Sequence, residues 1–105
     1  MAVYVDNYKA KFKNYIMCHM IADSEEELHS FAIKLGLKTS WYQNKTKHKH
    51  YDISQSVKQK AIELGAMEVS AKTLVKLSIR KNIEGNCGNL EDINKWYNNY
   101  KNKTK

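Results

Sequence analysis

Apolar residues along the chain recur with two periods, one typical of strands and one typical of helices. Residues 2–6 form a short β-prone run that ends on the carboxylate of Asp6, and residues 15–22 form a mostly apolar run interrupted by His19. Runs of this length and composition predict two strands, the second of them buried. Residues 67–69 are a third strand candidate.

Three segments repeat apolar residues at helical spacing. The first begins at Ser24, which opens a capping box, the second spans about residues 54–64, and the third begins at Ser70 or two residues later. The first two end on the similar phrases AIKLG and AIELG, whose glycines Gly36 and Gly65 suit a left-handed helix end. Because each glycine is followed by residues that can extend, we expect two successive helix-to-strand units.

These patterns predict one small α/β domain over residues 1–83, with three or four short strands and three helices in two or three layers. A break rich in asparagine and glycine at residues 84–88 precedes a further helical pattern. Residues 84–105 are therefore predicted to append a C-terminal helix. Its basic end, residues 102–105, is expected to fray because it has nothing apolar to bury.

Charge sets the class of partner. The 105 residues include 18 lysines and arginines against 11 acidic residues, a formal charge of +7. This excess predicts anionic partners such as nucleotides, nucleic acids or an acidic protein. Arg80 is the only arginine, so the bidentate fork that reads guanine is scarce and sequence-specific DNA recognition is disfavoured. Lys9, Lys11 and Lys13 lie between the first two strands and predict an exposed basic turn or ribbon.

The sequence also excludes several classes of protein. No uncharged apolar run approaches the roughly 18 to 20 residues of a membrane-spanning helix, so we expect no membrane association and a cytoplasmic location. Cys18 and Cys87 match no paired zinc spacing, which predicts two free thiols. The phosphate-cradling motifs GxxxxGKS/T and GxGxxG are both absent, which argues against ordinary ATP or dinucleotide enzymes.

Five phrases follow one another in a characteristic order: MAVYVD, MCHMIADSEEELHSFAIKLGL, WYQ, HYD and LGAMEVS. In this order the chain resembles the domain-of-unknown-function family 4031, found in phages and bacteria, across residues 1 to about 80. The resemblance implies a small α/β domain of uncharacterised activity, located in the host cytoplasm when phage-encoded. It also implies a set of family-typical polar positions: Asp6, His19, Asp23, Gln43, His50 and Asp52. The segment from Glu84 onward departs from the family pattern.

Asp6, His19, Asp23, His50 and Asp52 form the candidate constellation, of which Asp6, His19, His50 and Asp52 are the predicted metal ligands. Two histidines with these carboxylates suffice for a divalent metal, or for a general base with its orienting partner. His50 and Asp52 are two residues apart in an extended segment, which places both side chains on one side. Three structural roles remain as alternatives: His19 as a hydrogen-bonded core histidine, and Asp23 and Asp52 as helix caps. No HExxH, EF-hand or cysteine–histidine zinc spacing occurs.

The segment over residues 38–49 is polar and basic and predicts a loop or ribbon. Trp41, close to Gln43 and Lys45, predicts either a platform on which a base stacks while lysines hold phosphate, or a hydrophobic anchor beneath the loop. His48 is interpreted as a solvated residue of this loop.

Three functions from different classes fit these features. We favour a non-enzymatic binder of a nucleotide or other phosphate-bearing ligand, which in a phage would sequester a host signal in counter-defence. Its ligand-binding residues would be His19, Trp41, Gln43, Lys45, His50 and Asp52. The first alternative is a metal-dependent phosphodiesterase or phosphohydrolase, in which Asp6, His19, His50 and Asp52 hold a divalent metal, the one cofactor that the residues suggest. The second alternative is a module that docks on an acidic host protein. Exposed edges of so small a sheet also predict a homodimer.

Overall fold

The computed structural model describes residues 2–103, which contain five strands and four α-helices. The strands are β1 (Val3–Asp6), β2 (Ala10–Phe12), β3 (Tyr15–Ala22), β4 (Tyr51–Ser54) and β5 (Met67–Val69). The helices are α1 (Glu25–Lys34), α2 (Gln55–Glu63), α3 (Ala71–Glu84) and α4 (Ile93–Lys103), with short 3-10 helices over Thr39–Trp41 and Leu90–Asp92. Within these residues, no helix has the length and apolar character needed to cross a bilayer.

The strand β3 is the centre of a mixed sheet. Its residue Met17 lies opposite both Ala10 of β2 and Ser54 of β4. Three residues later, β3 pairs with β1 on the first side and still with β4 on the second. The strands β1 and β2 therefore follow one another along one side of β3, while β4 occupies the other. β5 extends the sheet beyond β1 as a parallel strand, whereas the other pairs are antiparallel.

Each face of the sheet supports its own apolar core. On one face, Met20 of β3 packs with Leu28 of α1 and Ala61 of α2. On the other face, Ile21 of β3 packs with Leu77 of α3 and with the first turn of α4. Neighbouring residues of a strand point to opposite faces, so alternate positions of β3 serve the two cores. The result is a three-layer arrangement, which confirms the predicted α/β class.

Serines and glycines set the helix ends where the sequence predicts them. The side chains of Ser24, Ser54 and Ser70 accept hydrogen bonds from backbone N–H groups three residues further on, at 3.1, 3.3 and 3.1 Å. Gly36 and Gly65 follow α1 and α2 in the left-handed region, with φ of 80° and 108°. The serine side chains satisfy free backbone N–H groups at the helix starts. The glycines adopt the left-handed conformation in which the chain leaves the helix.

Three stretches differ from the sequence-based expectations. Between residues 37 and 50 no strand follows α1, because polar residues occupy both alternating sides of this segment and a strand there would have no apolar side to bury. The lysine ribbon pairs with β3 as β2, which raises the strand count to five. The start of β3 is exposed rather than buried, with Tyr15 at 59%.

The C-terminal segment, residues 84–103, packs into the second core, which is the one between the sheet and α3. Cys87 and Ile93 are buried there, and the Trp96 indole donates a hydrogen bond from Nε1 to Glu84 at 2.6 Å. The predicted frayed end, residues 102–105, is helical as far as residue 103, and its last two residues lie outside the described part of the chain. Removal of this segment would therefore expose the apolar side of α3.

Candidate metal-binding site

A buried aspartate at the end of β1 orients a histidine on β3. Asp6 is 1% exposed and lies opposite His19, because Val5 lies opposite Met20 in the antiparallel β1–β3 pair. The Asp6 Oδ2 atom accepts a hydrogen bond from His19 Nδ1 at 2.7 Å. Its Oδ1 atom accepts the backbone N–H groups of His19 at 2.9 Å and Tyr8 at 3.3 Å. Both carboxylate oxygens are thus used, and His19 keeps Nε2 for another partner.

The Asp6–His19 contact favours the charged form of both groups. Burial opposes ionisation of Asp6, but the hydrogen bonds from the His19 ring and backbone outweigh it and lower the Asp6 pKa below 3.8. The hydrogen bond to Asp6 raises the pKa of His19 above 6.5 against the effect of burial, and the charges of Asp6 and Asp52 act in the same direction. An ionised carboxylate only accepts hydrogen bonds, so Nδ1 of His19 carries a proton in the neutral ring as well as in the charged one, and only Nε2 can lose its proton to become a ligand.

A second histidine is held in the same way by a backbone carbonyl. His50 donates from Nδ1 to the carbonyl oxygen of His48 at 2.5 Å, which again leaves Nε2 as the outward atom of the ring. The backbone of His50 is fixed by a two-way bridge to Gln43, with N–O distances of 2.8 and 3.2 Å. The His50 side chain is 15% exposed, so its position is restricted by packing as well.

Asp52 completes a three-residue cluster. It lies opposite His19 in the β3–β4 pair, so both side chains are on the same face of the sheet. Its Oδ1 atom is 3.1 Å from His50 Nε2 and 3.9 Å from His19 Nε2, and one ligand atom from each residue lies within 4.8 Å of the others. The ligands of a tetrahedral zinc ion, at about 2.0–2.2 Å from the metal, are about 3.3–3.6 Å apart. The cluster can therefore hold a divalent ion once side-chain rotation brings its three ligand atoms to these separations.

A cleft of about 300 Å³ adjoins the cluster, between the sheet, the loop before β4 and α3. His19 and His50 contribute to its wall together with the apolar side chains of Ile21, Leu74 and Val75. Tyr8 also lines it, and its ring stacks on the ring of His19 with centroids 5.4 Å apart. The cleft thus offers an apolar surface beside a polar cluster, the combination that suits a ring-bearing polar ligand.

The loop before β4 is fastened to α3 and is not freely solvated. His48, predicted to be a solvated residue, is half-buried, and its Nδ1 is 2.9 Å from the hydroxyl of Ser78, which is 3% exposed. Asn82 donates a hydrogen bond to the carbonyl oxygen of Lys47 at 2.7 Å. Burial, followed by the charges of His50 and Lys47, lowers the pKa of His48. The solvated interpretation of His48 is therefore wrong.

The loop divides its residues between the cleft and the surface. Thr46, His48 and His50 line the cleft, whereas the intervening lysines, Lys47 and Lys49, are exposed. The two lysines are therefore exposed on the loop that supplies part of the cleft wall, but they are not part of that wall.

The remaining predicted ligand-binding residues lie outside the cleft wall. Trp41 is 49% exposed at the end of its 3-10 helix, with the Lys38 ammonium 5.8 Å from its ring centroid. The side chains of Gln43 and Lys45 are exposed, and Gln43 acts on the site through its backbone bridge to His50. The structure therefore places Asp6 against the three-residue cluster, whereas the side chains of Trp41, Gln43 and Lys45 are not part of the site.

The two predicted aspartate caps are corrected by the structure. Ser24 caps α1 and Ser54 caps α2, so neither Asp23 nor Asp52 performs that role. A serine directly at the first helical turn reaches the free amides, whereas Asp52 points from β4 toward the histidines. The Oδ1 atom of Asp23 is buried and has no hydrogen-bond partner among the described residues.

Two residues of the site, Ser78 and Tyr8, are not predicted from the sequence. Ser78 belongs to the buried face of α3, and Tyr8 follows Asp6 by two residues and stacks on His19. Ser78 carries a usable signal, because a small polar residue on an apolar helix face requires a hydrogen-bond partner. The role of Tyr8 depends on how the chain turns after β1, which no local pattern indicates.

Comparison with known proteins places the chain in a family. No curated protein and no solved structure gives a significant match. The profile of the family described as "Protein of unknown function (DUF4031)" matches residues 3–81, which run from β1 into α3 and contain Asp6, His19, His50 and Asp52. The match confirms the predicted family and segment. The chain therefore belongs to the DUF4031 family, and every residue of the candidate metal-binding site lies in the matched segment.

Proposed function

We propose that the protein binds a divalent metal ion through His19, His50 and Asp52, and that this ion holds the phosphate of a nucleotide-class ligand. The supporting observation is the arrangement of the two rings. Each histidine donates from Nδ1 to an acceptor, the carboxylate of Asp6 or the carbonyl of His48, and each brings Nε2 to the same oxygen of Asp52. Orientation of a ligating histidine by an acceptor behind it is typical of metal sites.

The cleft and the loop beside it favour a ligand that has both a ring and a phosphate. A cavity of about 300 Å³ is at the lower end of the range for small-molecule sites, and its apolar wall suits a base or another planar ring. Lys45, Lys47 and Lys49 are exposed in the loop whose Thr46, His48 and His50 line the cleft, and they attract anions, consistent with the formal charge of +7. In this proposal the lysines raise the local concentration of the ligand, while the metal and the cleft determine its position.

The metal site is tested by equilibrium dialysis against Zn²⁺ or Mn²⁺, followed by elemental analysis. We expect one ion per chain for the wild type and at least tenfold weaker binding for Asp52→Asn, which keeps the side-chain shape and removes the charge. Glu63→Gln, the same change at an exposed residue of α2, is the matched control and should bind as the wild type does. Equal binding by Asp52→Asn and the wild type would contradict the proposal.

The ligand is tested by calorimetry on the metal-loaded protein. AMP should bind more tightly than adenosine or inorganic phosphate alone, because only AMP engages the cleft and the ion together. Removal of the metal with a chelator should weaken the binding of AMP more than that of adenosine. If adenosine binds as tightly as AMP with or without the metal, the ion does not hold the phosphate.

Hydrolysis of a phosphate ester is the second candidate function. It is favoured because a site with three protein ligands keeps coordination positions for water and for a phosphate oxygen, as catalytic metal sites do. In that reaction water adds to phosphorus, the ester P–O bond breaks, and the leaving oxygen departs as an alcohol. Metal-dependent release of nitrophenol from bis(p-nitrophenyl) phosphate by the wild type, absent in Asp52→Asn, would support hydrolysis. Tight binding without turnover would support a binder.

A binder without turnover would act by sequestration. In a phage-encoded member this would remove a host nucleotide signal and serve counter-defence in the host cytoplasm. If neither metal nor nucleotide binds, the basic surface remains as a docking surface for an acidic host protein, the third function considered. Sedimentation in the same samples would show whether the chain forms the expected homodimer.

A further inference from the structure

We propose that the β2–β3 hairpin is a platform for single-stranded nucleic acid. The surface consists of the rings of Phe12 and Tyr15 with Lys13 beside them, and the two rings lie on the face of the sheet that carries the candidate metal-binding site. The inference extends the proposed ligand from a nucleotide to a strand, but the strand binding described here needs no metal.

The pairing of the hairpin places its two aromatic rings on one face. Phe12 lies directly opposite Tyr15, and Ala10 lies opposite Met17. Tyr15, Met17 and His19 are alternate residues of β3, so they share a face of the sheet. The aromatic pair is therefore on the same face as His19, four residues or about 13 Å along the strand.

The rings are exposed to solvent. Phe12 and Tyr15 are each 59% exposed, more than any other aromatic residue in the described part of the chain. Tyr8 is 50% exposed and stacks on His19, so a third ring lies where the chain leaves the metal site for the hairpin. Exposed rings paired across two strands offer flat surfaces on which bases stack.

Charge indicates what covers these rings. Residues 7–22 contain Lys9, Lys11 and Lys13 and no acidic residue. The Lys13 ammonium lies 5.5 Å from the centroid of the Phe12 ring. Lys11 lies opposite Ile16 and faces the other side of the two strands, so Lys13 is the ammonium group beside the rings and the other lysines add to the positive charge of the hairpin. This arrangement matches a polyanion whose bases stack while its phosphates meet the ammonium groups. A second copy of the same hairpin would instead bring two clusters of three lysines together.

The rings also favour a single strand over a duplex. Bases in a duplex are already stacked on one another, whereas unpaired bases expose the flat faces that aromatic side chains contact. Because stacking is tolerant of sequence, this recognition also agrees with the presence of only one arginine in the chain.

The test is fluorescence anisotropy with a labelled 12-nucleotide oligouridylate or oligothymidylate, in EDTA and at low salt. We expect the wild type to bind and the Phe12→Ala/Tyr15→Ala variant to bind at least about tenfold more weakly. Phe12→Leu/Tyr15→Leu keeps apolar bulk on the strands and removes the rings, so it should lose affinity to a similar extent while its circular dichroism and melting temperature stay near those of the wild type. Ile33→Ala/Ile83→Ala removes side chains that are 63% and 56% exposed on α1 and α3, and it is the matched control that should bind normally.

Two results would overturn the inference. One is an affinity for the oligonucleotide that is the same in the wild type and in both ring variants. The other is a concentration-dependent dimer that the ring variants abolish, because the hairpin would then be a self-association surface. EDTA removes metal from the assay, so the two proposals are tested separately. If the oligonucleotide does not bind but dialysis detects the ion, only the platform is ruled out. If dialysis detects no ion, the metal site is ruled out and the anisotropy result alone decides on the platform.

Discussion

At the scale of single residues, the two histidines of the candidate site differ in the group that accepts a hydrogen bond from Nδ1. His19 is held by the ionised and buried Asp6, whereas His50 is held by the uncharged carbonyl group of His48. A carboxylate behind a ligating histidine makes the ring a better electron donor than a carbonyl does. We therefore expect His19 to be the stronger of the two ligands and Asp6 to be its positioning residue.

The substitution Asp6→Asn should change the tautomer of His19. Two backbone N–H groups, from Tyr8 and His19, point at Asp6 Oδ1, so the amide oxygen of the variant must occupy that position. The amide N–H₂ group then faces His19 Nδ1 and forces the ring proton onto Nε2. Nitrogen-15 NMR of the metal-free protein should show this change, and affinity for Zn²⁺ should fall by about 10- to 100-fold.

A merely structural role of Asp6 would give a different result. The melting temperature would then fall, but the His19 tautomer in the folded fraction would remain the same as in the wild type. The Asp92→Asn variant, which changes an exposed carboxylate that pairs with Arg80, is the control for loss of an ion pair elsewhere. It should leave both the tautomer and the metal affinity unchanged.

Glu84 gives the fold a predictable response to acid. The hydrogen bond from the Trp96 indole, followed by that from Arg80, lowers the pKa of Glu84 below 4.5. Its contribution to stability is therefore complete above pH 4.5 and is lost as the pH falls through the lower pKa of the folded state. The melting temperatures of the wild type and Glu84→Gln should differ at neutral pH and converge as the pH falls through that lowered pKa. A difference that stays constant with pH would show that the carboxylate charge is not involved.

At this scale the sequence could predict the residues of the cluster but not its surroundings. His50 and Asp52 are two residues apart on a strand, and Asp6 and His19 are polar residues at the ends and middle of apolar strands, so local patterns were enough to identify them. The contact of His48 with Ser78 joins positions 30 residues apart, and it depends on where α3 crosses the sheet. Such contacts are decided by tertiary packing, which carries no local pattern.

At the scale of elements, the helix ends are predictable, because each is set by the capping side chain or the backbone conformation of a single residue. Ser24, Ser54, Gly36 and Gly65 give helix ends at the predicted places because capping and left-handed φ are local properties. Strand formation requires a partner. The lysine ribbon becomes β2 because the start of β3 is available beside it, and neither segment indicates this by itself.

The turn after α3 provides a test at the element scale. Gly85 and Gly88 both have left-handed φ, of 86° and 70°. A Cβ atom at Gly85 would meet nothing within 4 Å, whereas one at Gly88 would meet the guanidinium of Arg80. Arg80 cannot move without cost, because it pairs with Asp92 at 2.6 Å and lies over the Trp96 ring.

We expect Gly85→Ala to lower the free energy of unfolding by about 1 kcal/mol, the usual effect of an L side chain in this region. Gly88→Ala should lower it further, by about 1 kcal/mol more, since the guanidinium must leave its partners. Denaturant unfolding of the two variants measures this difference directly. Equal values would mean that Arg80 shifts without losing its contacts.

At the scale of the whole molecule, the sheet is stabilised from both sides, and the C-terminal segment is part of one of them. Ile93 is 2% exposed in the second core with Tyr4 and Leu77, so the division of the chain at residue 83 does not coincide with a boundary between cores. The family match ends at residue 81, yet the apolar face of α3 needs the segment that follows.

The substitution Ile93→Ala should therefore destabilise the whole fold. Truncation of a fully buried isoleucine costs roughly 2–5 kcal/mol. Ile83→Ala, at a position that is 56% exposed on α3, should change the free energy of unfolding by less than about 0.5 kcal/mol. If the two variants unfold at the same denaturant concentration, the C-terminal helix does not contribute to the stability of the domain.

The two cysteines are distributed one to each core, and this gives the molecule a pair of internal reporters. Cys18 lies in the core under α1 and α2, Cys87 lies in the core under α3 and α4, and burial raises the pKa of both thiols to about 12. Neither thiol can react with an alkylating reagent until its own layer separates from the sheet, because the thiolate is the reactive form. The time course of alkylation at each cysteine, followed by peptide mass spectrometry, would therefore measure how often each layer opens and whether the two layers open together.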